Sequence, residues 1–236
     1  MIEHPPFIAD VPAHQKAPAR DRVLSMKEVA ALMDACARDD REHLLRYIIL
    51  GLGTAGRPDA ILELTSDNID LDRGLIDPRQ PGRLHPRKRR AIVPIANAVL
   101  PWVTGIDGKI IVYRVPIAER KRVPGGPTHF TKATRCIKTA WNAICKDAGV
   151  TGATPKTLRH TMLTWLAERG VEKEQRMTLA GHSAQDTRVK NYEHLTPGYL
   201  CKAVAEIDAY FNALAKLTEA HSRYKNDTGA IEALAA

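Results

Sequence analysis

Apolar residues first fall at helical spacing behind Ser25. "SMKE" reads as a capping box, with Ser25 as N-cap and Glu28 at the third helical position, and Val29, Leu32 and Met33 supply the stripe behind it. A second helix is predicted from about Arg41 to Thr54, closing near Gly53 and Gly56, and a third from about Pro58 to Leu64. From Asn68 to Ile95 the pattern changes to short strands separated by turns at Gly74, Pro81-Gly82 and Pro86. Lys109 to Val115 reads as a further short strand, followed by the basic loop "ERKRVPGGP". Helices resume over Thr131–Ala148, Pro155–Glu168, Glu172–Leu179, Thr187–Tyr192 and Pro197–His221. The pattern predicts an α+β fold that is mainly α, with a small antiparallel sheet.

The best-marked helix is "TPKTLRHTMLTWLAERG". Thr154 suits the N-cap, Pro155 the first helical position and Gly170 the stop. Leu158, Met162, Trp165 and Leu166 fall on one side and are expected in a core, as is Trp141. Lys156 and Arg159, three apart, crowd the end where free N–H groups already favour an anion, so a phosphate or carboxylate is their natural partner. Taken alone, the pair reads more readily as a solvated basic helix start.

The termini differ from this body. Residues 1–22 hold four prolines and no helical period, and read as an extended arm or linker remnant. Residues 23–221 form the expected single domain, and 222–236 a flexible tail. Hydrophobic content of 44% with 26% charged residues is that of a folded soluble protein. No apolar run approaches a membrane span and no signal peptide is evident, so a cytoplasmic protein is expected. The four cysteines, Cys36, Cys136, Cys145 and Cys201, form no metal or disulfide pattern and are expected as reduced core thiols.

Charge sharpens the picture. Thirty-five basic against 27 acidic residues give +8, a balance that favours a polyanionic partner. Arg79, Arg83, Arg87, Lys88, Arg89 and Arg90 lie within twelve residues that hold no acid. A solvated hairpin tip rarely needs six cations, so this segment is expected to contact a nucleic-acid backbone.

Further along stands "LAGHSAQDTRVKNYEHL", with His182 after Gly181 and Tyr192 ten residues later, and far upstream stands "GTAGRPDAILEL", with Arg57 at a helix start. In this order, the arginine, the K-x-x-R pair, the GHS and the tyrosine closely resemble the tyrosine recombinase or phage integrase family, over about residues 22–215. The resemblance implies a tyrosine recombinase-like catalytic domain. It assigns Arg57 and Arg159 as the two pocket arginines, Lys156 as the His/Lys member, His182 as the His/Trp member, Lys88 as the hairpin lysine and Tyr192 as the nucleophile. Two departures stand out: Ala60 occupies the place where many relatives carry a carboxylate, and the hairpin lacks the usual K-x-G-K turn. Only the Pro-rich arm precedes Ser25, where relatives carry a core-binding domain, so an isolated catalytic domain is expected.

The implied activity is site-specific cleavage and rejoining of double-stranded DNA through a 3′-phosphotyrosine, chemistry like that of type IB topoisomerases. No metal or other cofactor is expected, because arginine forks supply the charge that stabilises the phosphoryl transition state. Lys156 would take the phenol proton if its neighbours depress its pKa, His182 would position phosphate or phenol, and Lys88 would protonate the leaving 5′ oxygen. Self-association on DNA, a tetrameric synapse in full-length relatives, is implied, and the stripe Leu200, Val204, Ile207 and Tyr210 could dock on a neighbour or on its own domain. The competing readings are a catalytically weak or inactive DNA-binding accessory protein of the same fold, and a metal-dependent nuclease, for which no H-x-x-x-H or H-x-E spacing exists.

Overall fold

The computed structural model describes residues 22–37, 41–80, 82, 90–118, 121, 126–182, 197–218 and 220. The chain begins its packing at Leu24, whose N–H donates to the Thr161 hydroxyl (3.0 Å) and so ties the entry of the domain to a helix far along the sequence. Helix α1 (Met26–Cys36) then starts on the expected capping box. Glu28 Oε2 accepts from the Ser25 N–H (2.9 Å), and the Ser25 hydroxyl accepts from the Glu28 N–H (3.3 Å).

Helix α2 (Glu42–Thr54) is buried along almost its whole length, as a helix of Leu, Ile and Gly with few polar positions must be. Two glycines let neighbours approach it. A Cβ at Gly51 would lie 2.8 Å from Leu158 Cδ1, and one at Gly53 only 2.2 Å from Val99 Cγ2. Ala55 closes α2 in the left-handed region (φ 47°), the only described non-glycine residue with positive φ. Such a conformation costs an alanine about 1–2 kcal/mol. The turn is held by the Thr54 hydroxyl, which donates to Leu50 O (2.6 Å) and accepts from the Gly56 N–H (3.1 Å). It delivers Arg57 to the N-cap of the short helix α3 (Pro58–Glu63).

Three two-residue strands follow, β1 (Ile69–Asp70), β2 (Leu75–Ile76) and β3 (Val93–Pro94), in one antiparallel sheet of that order. Ile76 pairs with Ile69 on one side and Val93 on the other. Strands β4 (Val112–Pro116) and β5 (His129–Ala133) form a separate antiparallel ribbon, with Val112 opposite Ala133 and Pro116 opposite His129. Helix α4 (Lys138–Asp147), helix α5 (Pro155–Glu168), helix α6 (Lys173–Leu179) and helix α7 (Cys201–Leu214) complete the described elements. Leu158, Met162 and Leu166 of α5 are fully buried against α2, while Trp165 is half-buried.

Four sequence expectations change. The helix predicted from Thr131 begins only at Lys138, because residues 129–133 pair with the β-branched and aromatic edge of β4; tertiary pairing overrides a weak helical pattern. The strand predicted from Lys109 starts at Val112; Lys109 itself bridges Thr65. The last helix is a 3₁₀ turn (Pro197–Leu200) leading into α7, which ends at Leu214 rather than His221. Cys36 and Cys145 are buried, but Cys136 and Cys201 are exposed, since they fall just before a helix start and on the outer face of one. Residues 1–21 of the expected arm 1–22 and the whole expected tail 222–236 lie outside the described residues, as does the Thr187–Tyr192 helix.

The stripe of α7 is spent on its own domain. Leu200, Ile207 and Tyr210 are buried with Ala203, Phe211 and Leu214, and Val204 packs half-buried beside them. Tyr210 meets Trp165 edge-on with ring centroids 5.1 Å apart, and the Trp165 indole N–H donates to Glu206 O (3.2 Å). On the outer side, the Asp208 carboxylate accepts from the Ala98 N–H at 2.9 Å.

Candidate active site

The site forms where three helix ends meet. Helix α6 ends at Ala180 in a Schellman arrangement: the His182 N–H donates to Met177 O (3.0 Å) and the Gly181 N–H to Thr178 O (2.9 Å). That closure needs a left-handed residue, and Gly181 takes φ 60°. Cap chemistry therefore explains the Gly-His dipeptide, since the residue after the glycine is turned back across the helix end.

Arg159, one turn into α5, reaches the same point. Its side chain lies in the interior, with the residue only 5% exposed. Nη1 donates to Ala55 O (2.7 Å), Nη2 donates to Ala180 O (2.6 Å), and Nη2 also lies 2.9 Å from His182 Nε2. Ala55 and Ala180 are the C-caps of α2 and α6. Their carbonyls belong to the unsatisfied groups at helix C-termini, which carry the negative end of each helix dipole. A guanidinium is thus held by two helix ends, and among the described residues no carboxylate partners Arg159. Three of its five N–H donors are used, which leaves two for a ligand.

Arg57 joins from the N-cap of α3, donating from Nη2 to Gly181 O at 3.4 Å. Burial, and then the charge of Arg57, lowers the Arg159 pKa to about 10, still cationic at neutral pH. Burial and the charge of Arg90 lower that of Arg57. His182 is lowered by burial first and by Arg159 and Arg57 after it, so its imidazole is neutral at pH 7. Because a guanidinium only donates, Nε2 of that neutral ring must accept, and the proton sits on Nδ1. The acceptor nitrogen of His182 is therefore engaged by Arg159, and its Nδ1 carries the donor.

Between the two arginines opens a pocket with an apolar floor that includes Ala60, Ile61 and Val93, and Arg90 stands in its wall. Arg90 turns inward: Nη2 donates to Glu63 Oε2 (2.6 Å) and Nη1 to Pro78 O (2.9 Å). Arg79 behaves oppositely. Its side chain is 61% exposed and forks onto Asp77, with Nε at 2.8 Å and Nη2 at 2.6 Å. Lys156 is exposed at the first turn of α5 and stands outside the hydrogen-bonded set around Arg159. Lys88, Arg83, Arg87, Arg89 and Tyr192 lie outside the described residues. The structure thus brings together Arg57, Arg159 and His182 from three separated segments. Sequence reasoning missed the carbonyls of Ala55 and Ala180, for which the glycine that follows each was the available signal, and it missed Glu63.

The sequence matches the phage integrase family over residues 22–198, and the chain belongs to that family. The integrase of Salmonella phage P22 is 29% identical over 238 residues, covering 97% of this chain and 57% of that protein. Tyrosine recombinase XerC of Chlamydia pneumoniae is 27% identical over 139 residues, covering 56% of this chain and 40% of its own. Among solved structures, the XerA recombinase covers 84% of this chain and 68% of its own at 21% identity, with a TM-score of 0.46. The chain spans about half the length of the first two relatives, 57% and 40%. Among the described residues no helix is long and apolar enough to cross a membrane.

Proposed function

We propose that this chain is the catalytic part of a site-specific DNA recombinase, cutting and rejoining strands through a covalent tyrosine intermediate with no metal. The observation that carries the reading is Arg159: a buried guanidinium that, among the described residues, is held by two helix-end carbonyls and a histidine keeps its charge for an anion. With Arg57 beside it, the cleft suits a phosphodiester whose negative charge grows on its nonbridging oxygens in the transition state. His182 adds the Nδ1–H as a further donor.

In this reading Tyr192 attacks the phosphorus and the 5′ oxygen leaves, giving a 3′-phosphotyrosine, the chemistry of type IB topoisomerases. Lys156, exposed in the first turn of α5, accepts the phenol proton, and Lys88 donates one to the departing oxygen. The bond energy is stored in the phosphotyrosine, so a second 5′-hydroxyl reverses the step on a new strand. Arg79, Arg83, Arg87 and Arg89 contact flanking phosphates. The protein acts where the cell's DNA lies. Exchange between duplexes calls for several protomers, and a DNA-dependent rise in mass by light scattering tests that assembly.

The decisive experiment traps the intermediate on nicked suicide duplexes carrying a randomised target. A covalent adduct is expected, insensitive to EDTA and absent in Tyr192→Phe, whose DNA affinity stays within about twofold because only one hydroxyl is lost. Adduct persisting in Tyr192→Phe, or mapped by mass spectrometry to Tyr199 or Tyr210, overturns the assignment. Cleavage abolished by EDTA would indicate a nuclease, and binding without adduct an accessory protein.

A further inference from the structure

Glu63 is an acid in an unfavourable place. It is the last residue of α3, where the helix dipole already presents its negative end and a carboxylate is disfavoured. Its surroundings offset this. The Lys109 ammonium donates to the Glu63 carbonyl (2.8 Å), and Arg90 donates to the carboxylate (2.6 Å). The Arg90 side chain is only 10% exposed and that of Glu63 35%, so the guanidinium is largely desolvated while the carboxylate keeps contact with water.

Arg90 also spans two legs of chain. It precedes β3, and its second bond goes to Pro78 O, two residues after β2. One side chain therefore joins both legs of the basic hairpin to the far end of the helix whose near end carries Arg57. The same side chain lines the pocket together with Arg57 and Arg159. The charge of Arg90 is felt by Arg57, and Glu63 on Arg90 offsets part of that repulsion.

We infer that Glu63 and Arg90 form a positioning pair that fixes α3 against the hairpin and so keeps the Arg57 guanidinium in place beside Arg159. The inference rests on the reading that Arg57 and Arg159 bind the reacting phosphate. Arg90 acts through Arg57 and does not itself touch DNA. A loss of register of about 1 Å at a phosphate clamp costs up to about 10²-fold in rate, so the pair has leverage despite its distance from the chemistry.

The test measures single-turnover cleavage of the suicide duplex, DNA affinity and its salt dependence for Glu63→Gln, Arg90→Gln, the charge swap Glu63→Arg with Arg90→Glu, and Arg90→Gln on an Arg57→Lys background. Each single variant is expected to slow cleavage about 10- to 100-fold while DNA affinity and its salt slope stay unchanged. The swap should recover most of the loss, which a damaged fold would not allow. On the Arg57→Lys background, Arg90→Gln should cost less than about threefold, because the residue it positions is already gone. As a readout independent of turnover, the Arg57 Nε–H resonance of the unmodified protein should move or broaden in Arg90→Gln. Full additivity with Arg57→Lys, an unchanged rate, or a fall in affinity with a shallower salt slope overturns the inference and leaves the phosphate reading intact. An Arg57→Lys protein that cleaves at the unmodified rate overturns both.

Discussion

Two sets of arginines in this protein are held in opposite ways. Around the domain surface, Arg22, Arg41 and Arg79 each pair with a carboxylate, from Glu28, Asp147 and Asp77 respectively. At the cleft, Arg159 is far more buried, yet its partners are two backbone carbonyls and a neutral histidine. Burying a charge without a counterion is costly, and proteins ordinarily neutralise it. The cleft instead spreads the compensation over two helix C-termini, whose partial charges solvate the guanidinium without cancelling it. The surface pairs are neutralised within the chain, whereas in the proposed reading the cleft arginine keeps its charge for a phosphate. Arg90 stands between the two regimes, since it lines the cleft but carries the carboxylate partner of a structural arginine.

The largest expected effect comes from Arg159→Ala, which removes the dipole-held charge. Cleavage of bound DNA should fall by at least 10²- to 10³-fold, the scale of losing a transition-state donor. Thermal or urea unfolding should register a loss of about 1–3 kcal/mol, because Ala55 O and Ala180 O are left without their donor. An active, equally stable Arg159→Ala protein would erase the distinction between the two sets of arginines.

His182 gives an intermediate effect with a pH signature. Its folded pKa lies below the ordinary 6.5, so the unfolded chain takes up the proton first as pH falls. The stability linked to the neutral ring is therefore fully present above about pH 6.5 and is lost on acidification through the lowered folded value. Protonation also turns Nε2 into a donor facing the Arg159 donor, so the cleavage rate should drop over the same window. His182→Gln, whose side-chain oxygen still accepts from Arg159, should cost about 10-fold in rate at pH 7.5 and flatten both profiles below pH 6.5. Profiles in which the variant keeps the same acid limb would assign that titration to another group.

The smallest effect belongs to the surface set. Arg79→Ala breaks an exposed pair and should change stability by less than about 0.5 kcal/mol, as measured by chemical denaturation. If Arg79 meets a phosphate in the complex, the log–log salt slope of DNA binding should lessen by about 0.9 without a change in the cleavage rate of bound DNA. A slope left as it was would confine Arg79 to its pair with Asp77.

Much of this was legible in the amino-acid order, where the code is local. The Ser25–Glu28 box set the start of α1, and Thr154-Pro155 with Gly170 bounded α5, because capping and stop signals act over three or four residues. Three residues that the structure brings together, Arg57, Arg159 and His182, were singled out too, through the resemblance of their motifs to the phage integrase family. The strand at 129–133 was not, because its partner is a separate segment and its own residues carry no strong preference for either state. Nor was the home of the α7 stripe, for an apolar face states that it must be covered and not by what. The inward turn of Arg90 escaped for the same kind of reason: within "RKRR" it looks like its neighbours, and only Glu63 and Pro78, brought up by α3 and the leg after β2, give it another role. Sequence by itself determined the helices with marked ends and the chemistry available to the cleft. Tertiary structure alone decided that two helix C-termini would meet at Arg159, since a backbone carbonyl has no letter in the sequence and becomes a ligand only when folding leaves it unpaired beside a charge.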